Sequence, residues 1–230
     1  MKNGKKLAVF DIDGTVFRSS LLIELNEALI EEGIIPMEAR SEYETEHKAW
    51  LDRKGSYEDY IEALVASFML HIKGVQYADF ERVAVRVAKQ LENRVYQYTR
   101  DLIAKLKKRD YFLLAVSQSP KGILDVFGKS LGFDKIYGRF YELGPSDRFT
   151  GAVEDLHLIS NKANIVRRVL EKEGLTLKGS IGVGDTEGDI SFLEMVETPI
   201  CFNPNKTLFR HAKLNKWKVV VERKDVIYEL

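Results

Sequence analysis

The 230-residue chain contains a single cysteine, few prolines and no excess of charge of either sign. One cysteine, Cys201, excludes a disulfide within the chain and is typical of proteins in a reducing compartment. Because it lies in the apolar run PICF, we interpret it as a buried structural thiol rather than a nucleophile. The 35 basic and 35 acidic residues balance to a formal net charge of zero. This balance argues against nucleic-acid or anionic membrane partners.

Long hydrophobic runs are also lacking. No apolar stretch approaches the roughly 18 residues that a membrane-spanning helix needs. The basic N-terminus, MKNGKK, precedes an apolar run that is too short for a signal peptide and soon meets Asp11. We therefore expect a cytoplasmic protein without a membrane partner. With 45% hydrophobic residues, the chain still has enough apolar material for one large domain with an insertion.

Short apolar runs alternate with segments of helical spacing. The runs are apolar at consecutive positions, as is typical of strands buried on both faces of a parallel sheet. They are LAVF (7–10), YFLLAV (111–116), SIGVG (180–184), TPICF (198–202) and KVVV (218–221). Helical stripes cover 99–109, 120–131, 161–173 and 186–196, and a turn-rich hairpin is predicted over 140–154. The alternation predicts an α/β fold with a doubly wound parallel sheet.

The segment between residues 17 and 97 departs from this alternation, because its pattern is helical throughout. Glycine and proline divide it into roughly four helices. A crossover between parallel strands usually needs one helix, so we predict an all-helical insertion with its own small core. The predicted organisation is a core of residues 1–16 and 98–230 with a helical cap at 17–97. The cap begins directly after two aspartates, where a lid over an active site would be anchored.

Polar side chains follow three of the predicted strands. Asp11 and Asp13 end the first strand, Ser117 follows the second, and Asp185 follows SIGVG with Asp189 four residues later. Ligands of doubly wound folds bind outside the carboxyl ends of the strands, so we expect these side chains to converge.

The converging residue types indicate phosphoryl transfer. Aspartate oxygens suit Mg²⁺, which would relieve the repulsion between the carboxylates. The Ser117 hydroxyl and the Lys162 ammonium group, just after Ser160 at a predicted helix start, suit phosphoryl oxygens. One carboxylate can act as a nucleophile and form an aspartyl-phosphate. A second carboxylic acid can protonate the leaving oxygen and then activate water.

These residues lie in four motifs that together resemble the haloacid dehalogenase superfamily of phosphatases. The motifs are DIDGT (11–15), VSQS (116–119), Lys162 and GDTEGD (184–189), in the superfamily order. VSQSP, DRFTG and CFNPNKTL further resemble its phosphoserine-phosphatase-like subgroup, subfamily IB. The resemblance implies a Rossmannoid core with a type-1 helical cap, Mg²⁺ as cofactor, and hydrolysis of a small phosphorylated metabolite.

The resemblance also implies roles for individual residues. Asp11 is the nucleophile and a metal ligand, and Asp13 is the general acid and base, with its backbone carbonyl on the metal. Ser117 and Lys162 hold the phosphoryl oxygens, and Thr15 helps to set the first loop. The candidate metal-binding set is Asp11, Asp13, Asp185 and Asp189, and the candidate substrate-binding set is Thr15, Gln118 and Arg53.

Three positions depart from the subgroup pattern. Gln118 stands where a glycine usually follows the second-motif serine, and Gly188 stands where asparagine usually precedes the last acid. Ser20 lies nearest to the position of the cap glutamate that contacts the substrate's ammonium group, with Glu24 one turn later. These departures leave the phosphatase prediction intact and leave the substrate open.

Two alternative functions use the same residues. A phospho-aspartate can be passed to a hydroxyl group instead of water, as in a phosphotransferase or phosphomutase. The chain can also be a binding module for a phosphorylated ligand that has lost turnover. Taken alone, Asp185 and Asp189 would fit helix N-terminal acids, and Arg53 would fit a solvated surface residue.

Overall fold

The fold is built on one mixed sheet. A computed structural model of the chain describes residues 4–154 and 161–230. The strands are β1 (Lys6–Asp11), β2 (Phe112–Pro120), β3 (Lys135–Leu143), β4 (Phe149–Glu154), β5 (Thr176–Gly184), β6 (Thr198–Phe202), β7 (Lys218–Arg223) and β8 (Val226–Glu229). Across the described residues their order is β4-β3-β2-β1-β5-β6-β7-β8. The six inner strands run parallel and the two edge strands antiparallel, which confirms the predicted α/β class.

Helices connect these strands. They are α1 (Leu21–Glu31), α2 (Glu44–Leu51), α3 (Tyr57–Ile72), α4 (Tyr77–Gln90), α5 (Gln97–Lys108), α6 (Lys121–Leu131), α7 (Lys162–Glu173), α8 (Ile190–Leu193) and α9 (Lys206–Asn215). Short 3₁₀ helices cover Met37–Glu42, Pro145–Asp147 and Glu187–Asp189. The predicted helix over 186–196 is therefore shorter, because its first turn is a 3₁₀ helix. Ser160 lies outside the described residues, and the N-cap of α7 is Asn161, whose side chain accepts a hydrogen bond from the Ala163 backbone N–H at 3.0 Å.

The sheet is buried on both faces, as the consecutive apolar positions predict. In β1, Ala8 and Phe10 belong to one hydrophobic cluster, and Leu7 and Val9 belong to the cluster on the other face. The second cluster also contains Cys201, which is fully buried as predicted. The 140–154 hairpin is present as the antiparallel pair β3 and β4. Strand β8 was not predicted; it is a short edge strand, VIYE, and all four of its residues are exposed.

The helical insertion packs directly on the sheet domain. Its buried residues Phe68 and Val83 belong to the same hydrophobic cluster as Phe10 of β1 and Phe127 of α6. Helix α4 packs against α6 and α1. The expected separate small core is therefore not observed, because the apolar faces of these helices share one core with the sheet. The division into a core and a cap with bounds at 17 and 97 stays a prediction.

None of the helices that the structure describes is long and apolar enough to cross a bilayer.

Candidate active site

Strand register brings the predicted site residues together. Asp11 at the end of β1 pairs with Val116 of β2, so Ser117 follows beside it. On the other side Phe10 pairs with Val183 of β5, so the turn carrying Asp185 begins next to Asp11. Three polar strand ends therefore meet at one edge of the sheet, as expected.

Lys162 bridges two buried carboxylates. As the first residue of α7 it is 7% exposed, and its Nζ lies 2.6 Å from Asp11 Oδ1 and 2.5 Å from Asp189 Oδ1. Burial alone lowers the pKa of Lys162, but the two carboxylates outweigh this effect and raise it. The side chain is thus a fixed cation at the end of β1.

Asp11 keeps one carboxylate oxygen without a partner. Its Oδ2 is buried and has no hydrogen bond from the described residues. The pKa of Asp11 is raised to about 8, and burial is the largest cause. Lys162 lowers the pKa, whereas the charges on Asp189 and Asp13 contribute to the increase. A buried carboxylate oxygen without a donor is costly unless a ligand or cation meets it.

The donor set fits a hard divalent cation. Asp11, Asp185 and Asp189 each offer a carboxylate oxygen, and these atoms lie within 4.8 Å of one another. Burial raises the pKa of Asp185 well above its ordinary value, and the charges on Asp11 and Asp189 raise it further. Clustered carboxylate oxygens are the ligands that Mg²⁺ takes.

Asp189 shapes the turn that carries Asp185. Its Oδ2 accepts hydrogen bonds from the backbone N–H groups of Asp185 (2.9 Å) and Thr186 (3.1 Å). Its other oxygen meets Lys162, so both oxygens already have donors. A side chain at Gly184 would place Cβ 2.5 Å from Asp189, so glycine is required for this close approach. These contacts make Asp189 an anchor of the turn that carries Asp185.

The first motif loop packs on the other side of Asp185. Gly14 has φ +79°, and a Cβ there would lie 2.2 Å from Asp185 Oδ2. The Thr15 hydroxyl donates to Asp185 Oδ1 at 3.2 Å. The Thr15 carbonyl accepts from the Thr99 hydroxyl at 3.0 Å, which ties α5 to the loop. Thr15 is fully buried behind the metal-ligand candidate rather than in contact with the cavity.

Asp13 is oriented by hydrogen-bond donors on both oxygens. Oδ1 accepts from the Leu21 backbone N–H at 2.6 Å, and Oδ2 accepts from the Ser117 hydroxyl at 2.5 Å. The Ser117 Oγ in turn accepts from the Ser119 backbone N–H at 2.8 Å. Burial raises the pKa of Asp13, and the Ser117 and Leu21 hydrogen bonds only partly oppose it. A raised pKa favours the protonated form that a general acid needs.

A cavity of about 230 Å³ opens beside these groups. Its walls come from the sheet edge and from α1 and α3 of the insertion. The lining residues are Asp11, Asp13, Ser20, Leu22, Tyr57, Glu58, Ile61, Val65, Gln118, Ser119, Lys162, Asp185, Thr186, Glu187 and Gly188. The cavity is the space in which a small ligand can meet the carboxylates.

The remaining predicted residues differ in their placement. Gln118 lines the cavity, and its Oε1 accepts from Arg139 Nη2 at 2.6 Å. Arg53 is exposed in the turn after α2 and does not line the cavity, so the structure does not bring it to the other predicted residues. Ser20 lines the cavity, whereas Glu24 forms an ion pair with Arg94 at 2.7 Å.

Several lining residues had no role predicted from the sequence. Among them, Glu58 lies in the first turn of α3, Ser119 lies at the end of β2, and Glu187 lies between the two acids of the fourth motif. The proximity of Ser119 and Glu187 to motif residues was the available signal. For α3 there was none, because the sequence does not show which helix face meets the sheet.

Residues 8–194 match the family of haloacid dehalogenase-like hydrolases. The chain belongs to this family. The predicted family and the predicted enzyme class, a hydrolase of the phosphatase type, are confirmed.

Three curated relatives of this haloacid dehalogenase-like hydrolase align over most of its length. It is 24% identical over 215 residues to the inhibition of morphological differentiation protein of Streptomyces azureus, covering 93% of this chain and 77% of that protein. It is 24% identical to a phosphoserine phosphatase of Methanocaldococcus jannaschii, and the alignment covers 98% of this chain and 96% of that protein. It is 22% identical to a histidinol-phosphatase of Neisseria meningitidis serogroup C, and the alignment covers 94% of this chain and 98% of that protein.

The hydrolase also resembles a solved structure described as a phospho-aspartyl intermediate analogue of phosphoserine phosphatase. The TM-score is 0.63 at 23% identity, with 97% of this chain and 96% of the other covered. This likeness shows a shared fold.

Proposed function

We propose that the protein is a Mg²⁺-dependent phosphatase that hydrolyses a small phosphomonoester through a phosphorylated Asp11. The observation that carries the proposal is the Asp11 carboxylate, which is buried, lines the cavity and has one oxygen without a donor among the described residues. Lys162 holds its other oxygen at 2.6 Å. A nucleophile fixed by one oxygen and free at the other is prepared for in-line attack on a bound phosphoryl group.

Asp11 and Asp185 would hold the metal ion, with the Asp13 backbone carbonyl as the third protein ligand and Asp189 as the residue that positions Asp185. When bound, Mg²⁺ would neutralise negative charge on the phosphoryl oxygens. Lys162 would supply a second positive charge to the same oxygens. Ser117 would donate a hydrogen bond there once its hydroxyl turns from Asp13.

In the first step Asp11 attacks phosphorus, and the bond between phosphorus and the ester oxygen breaks. The leaving oxygen takes a proton from Asp13, whose raised pKa favours the protonated carboxyl before the step. The products are the free alcohol and an acyl phosphate on Asp11.

In the second step Asp13, now a carboxylate, removes a proton from a water molecule whose oxygen attacks phosphorus. The bond between phosphorus and Asp11 breaks, so inorganic phosphate leaves and both aspartates return to their starting states. The Leu21 backbone N–H holds Asp13 in place for both proton transfers.

The insertion over 17–97 would act as a cap that selects the alcohol, since α1 and α3 supply lining residues that the motifs do not. Phosphoserine and histidinol phosphate are first candidates because of the named relatives. A cytoplasmic location is part of the proposal and agrees with a single buried, reduced cysteine.

The test is phosphate release from a panel of phosphomonoesters, with Mg²⁺ and with a chelator, for the wild type and Asp11→Asn. We expect metal-dependent release that is lost in the variant. Release that acceptor alcohols suppress in favour of a new ester would instead identify a phosphotransferase. Tight binding of a phosphorylated ligand without any release would identify a binding module.

A further inference from the structure

Two glutamates that the proposed reaction does not use also line the cavity. Glu58 lies in the first turn of α3, and Glu187 lies in the turn after β5. Burial raises the pKa of Glu58, and the charge on Glu187 raises it further. The insertion and the sheet edge therefore bring two carboxylates within electrostatic reach of each other beside the reacting groups.

Neither glutamate meets a cation among the described residues. The charged groups that act on Glu58 are Glu187, Glu62 and Asp59, all acidic. Glu187 accepts a hydrogen bond from the neutral Asn205 side chain. Both glutamates are exposed, so solvent screens their repulsion, but a cation placed between them would be attracted by both charges.

The cavity as a whole has an excess of negative charge. Lys162 is the one cation among its lining residues in the part of the chain that the structure describes, and it is already held by Asp11 and Asp189. Asp11, 5% exposed and with its Oδ2 unpartnered there, marks the phosphoryl end of the cavity. Mg²⁺ and Lys162 together would offset the charges of Asp11, Asp185 and Asp189 and leave the two glutamates uncompensated.

The wall next to Glu58 is apolar and aromatic. Tyr57, Ile61 and Val65 recur on one face of α3 and line the cavity, together with Leu22 of α1. This surface suits a hydrocarbon segment, and a tyrosine ring also attracts an organic cation. No lining side chain on this wall offers a positive charge to a carboxylate, as far as the described residues show.

We propose that the substrate is the phosphate monoester of an amino alcohol that lacks a carboxylate, with its ammonium group bound between Glu58 and Glu187 and its hydrocarbon part against Tyr57 and Ile61. This inference rests on the proposed function. Phosphoserine carries a carboxylate on the carbon that bears its amine, and this added negative charge would face the two glutamates. We therefore expect phosphoserine to be a poorer substrate than O-phosphoethanolamine, which lacks the carboxylate.

The test compares kcat/KM for O-phosphoethanolamine, n-propyl phosphate, L-phosphoserine and p-nitrophenyl phosphate with the full chain and Mg²⁺. n-Propyl phosphate has the same shape as O-phosphoethanolamine without the charge. We expect O-phosphoethanolamine to exceed both n-propyl phosphate and L-phosphoserine by about tenfold or more, as one partly exposed charge contact allows.

Glu58→Gln is the variant that tests the assignment. It should reduce the preference for O-phosphoethanolamine over n-propyl phosphate by about tenfold, mainly through KM. Glu62→Gln removes the same charge one turn later on α3, outside the lining residues, and should keep the wild-type preference. Thermal unfolding of both variants checks that the fold is retained.

The outcomes separate this inference from the proposed function. Release from p-nitrophenyl phosphate and n-propyl phosphate with no preference for the amine would overturn the inference and leave the phosphatase in place. An equal loss on every ester in Glu58→Gln would also overturn it, because Glu58 would then act on the metal or the cap. Absence of release from all four esters would be a failure of the proposed function itself.

Discussion

Lys162 Nζ lies 2.6 Å from Asp11 Oδ1, and both side chains are buried. Because the same ammonium group also meets Asp189 at 2.5 Å, one lysine holds together the ends of β1, α7 and the β5 turn. This ion pair orients Asp11, the proposed nucleophile, and limits the repulsion among the aspartates.

Replacing Lys162 with methionine should therefore damage both activity and stability. We expect turnover to fall on the order of 10²–10³-fold through loss of charge at the phosphoryl group. The unpaired carboxylates should lower the free energy of unfolding by about 3–5 kcal/mol, and Mg²⁺ should restore part of it. Phosphate release and urea unfolding measure the two effects. Lys172→Met, at an exposed position on the same helix, is the control, and equal activity of both variants would contradict the role of Lys162.

Gly14→Ala should weaken metal binding. The new Cβ would displace Asp185, and the concentration of Mg²⁺ for half-maximal activity should rise by about tenfold or more. Gly33→Ala is a matched control, because Gly33 also has a positive φ (+69°) but a Cβ there would have no atom of the described residues within 4 Å. Both variants should lose about 1 kcal/mol from the left-handed backbone, as measured by thermal unfolding. A normal Mg²⁺ requirement in Gly14→Ala would count against the placement of Asp185.

The stability of the insertion should depend on pH through Glu32. Hydrogen bonds from Arg82 and then Arg86 hold the pKa of Glu32 below its ordinary value of 4.5, against a smaller effect of burial. A lowered pKa means that the stabilisation is present above 4.5 and is lost as pH falls through the folded-state pKa. Glu32→Gln should therefore cost about 0.5–1 kcal/mol at neutral pH and almost nothing at an acidic pH well below the folded-state pKa.

Urea unfolding of wild type and Glu32→Gln at both pH values measures this difference. Glu31→Gln removes the same charge from the preceding residue and serves as the control. A cost of Glu32→Gln that stays constant with pH would show that the two arginines do not stabilise the carboxylate.

Cys201 should resist thiol reagents in the folded protein. Burial raises the pKa of its thiol to about 12, so the reactive thiolate is scarce at neutral pH. We expect labelling by a maleimide only at the rate at which the chain unfolds, which mass spectrometry under native and denaturing conditions measures. Rapid labelling of the native protein would contradict the buried position.

The convergence of the polar side chains of the candidate site could be predicted because they lie next to strand ends. Asp11 and Asp185 each follow an apolar run, and parallel strands place such ends side by side. Local spacing does not encode which face of α3 meets the sheet, so Glu58 became visible only in the structure. The hydrogen bond from Thr99 to the Thr15 carbonyl joins residues far apart in the chain, and no sequence pattern predicted it.

The most direct test of the proposed mechanism is to acid-quench the enzyme during turnover of p-nitrophenyl phosphate and map phosphorylated peptides by mass spectrometry. The mechanism predicts one added phosphoryl group on the peptide that contains Asp11. Hydroxylamine should remove this group, and it should be absent from Asp11→Asn. Sustained metal-dependent turnover by Asp11→Asn, after conversion back to aspartate has been excluded, would contradict it.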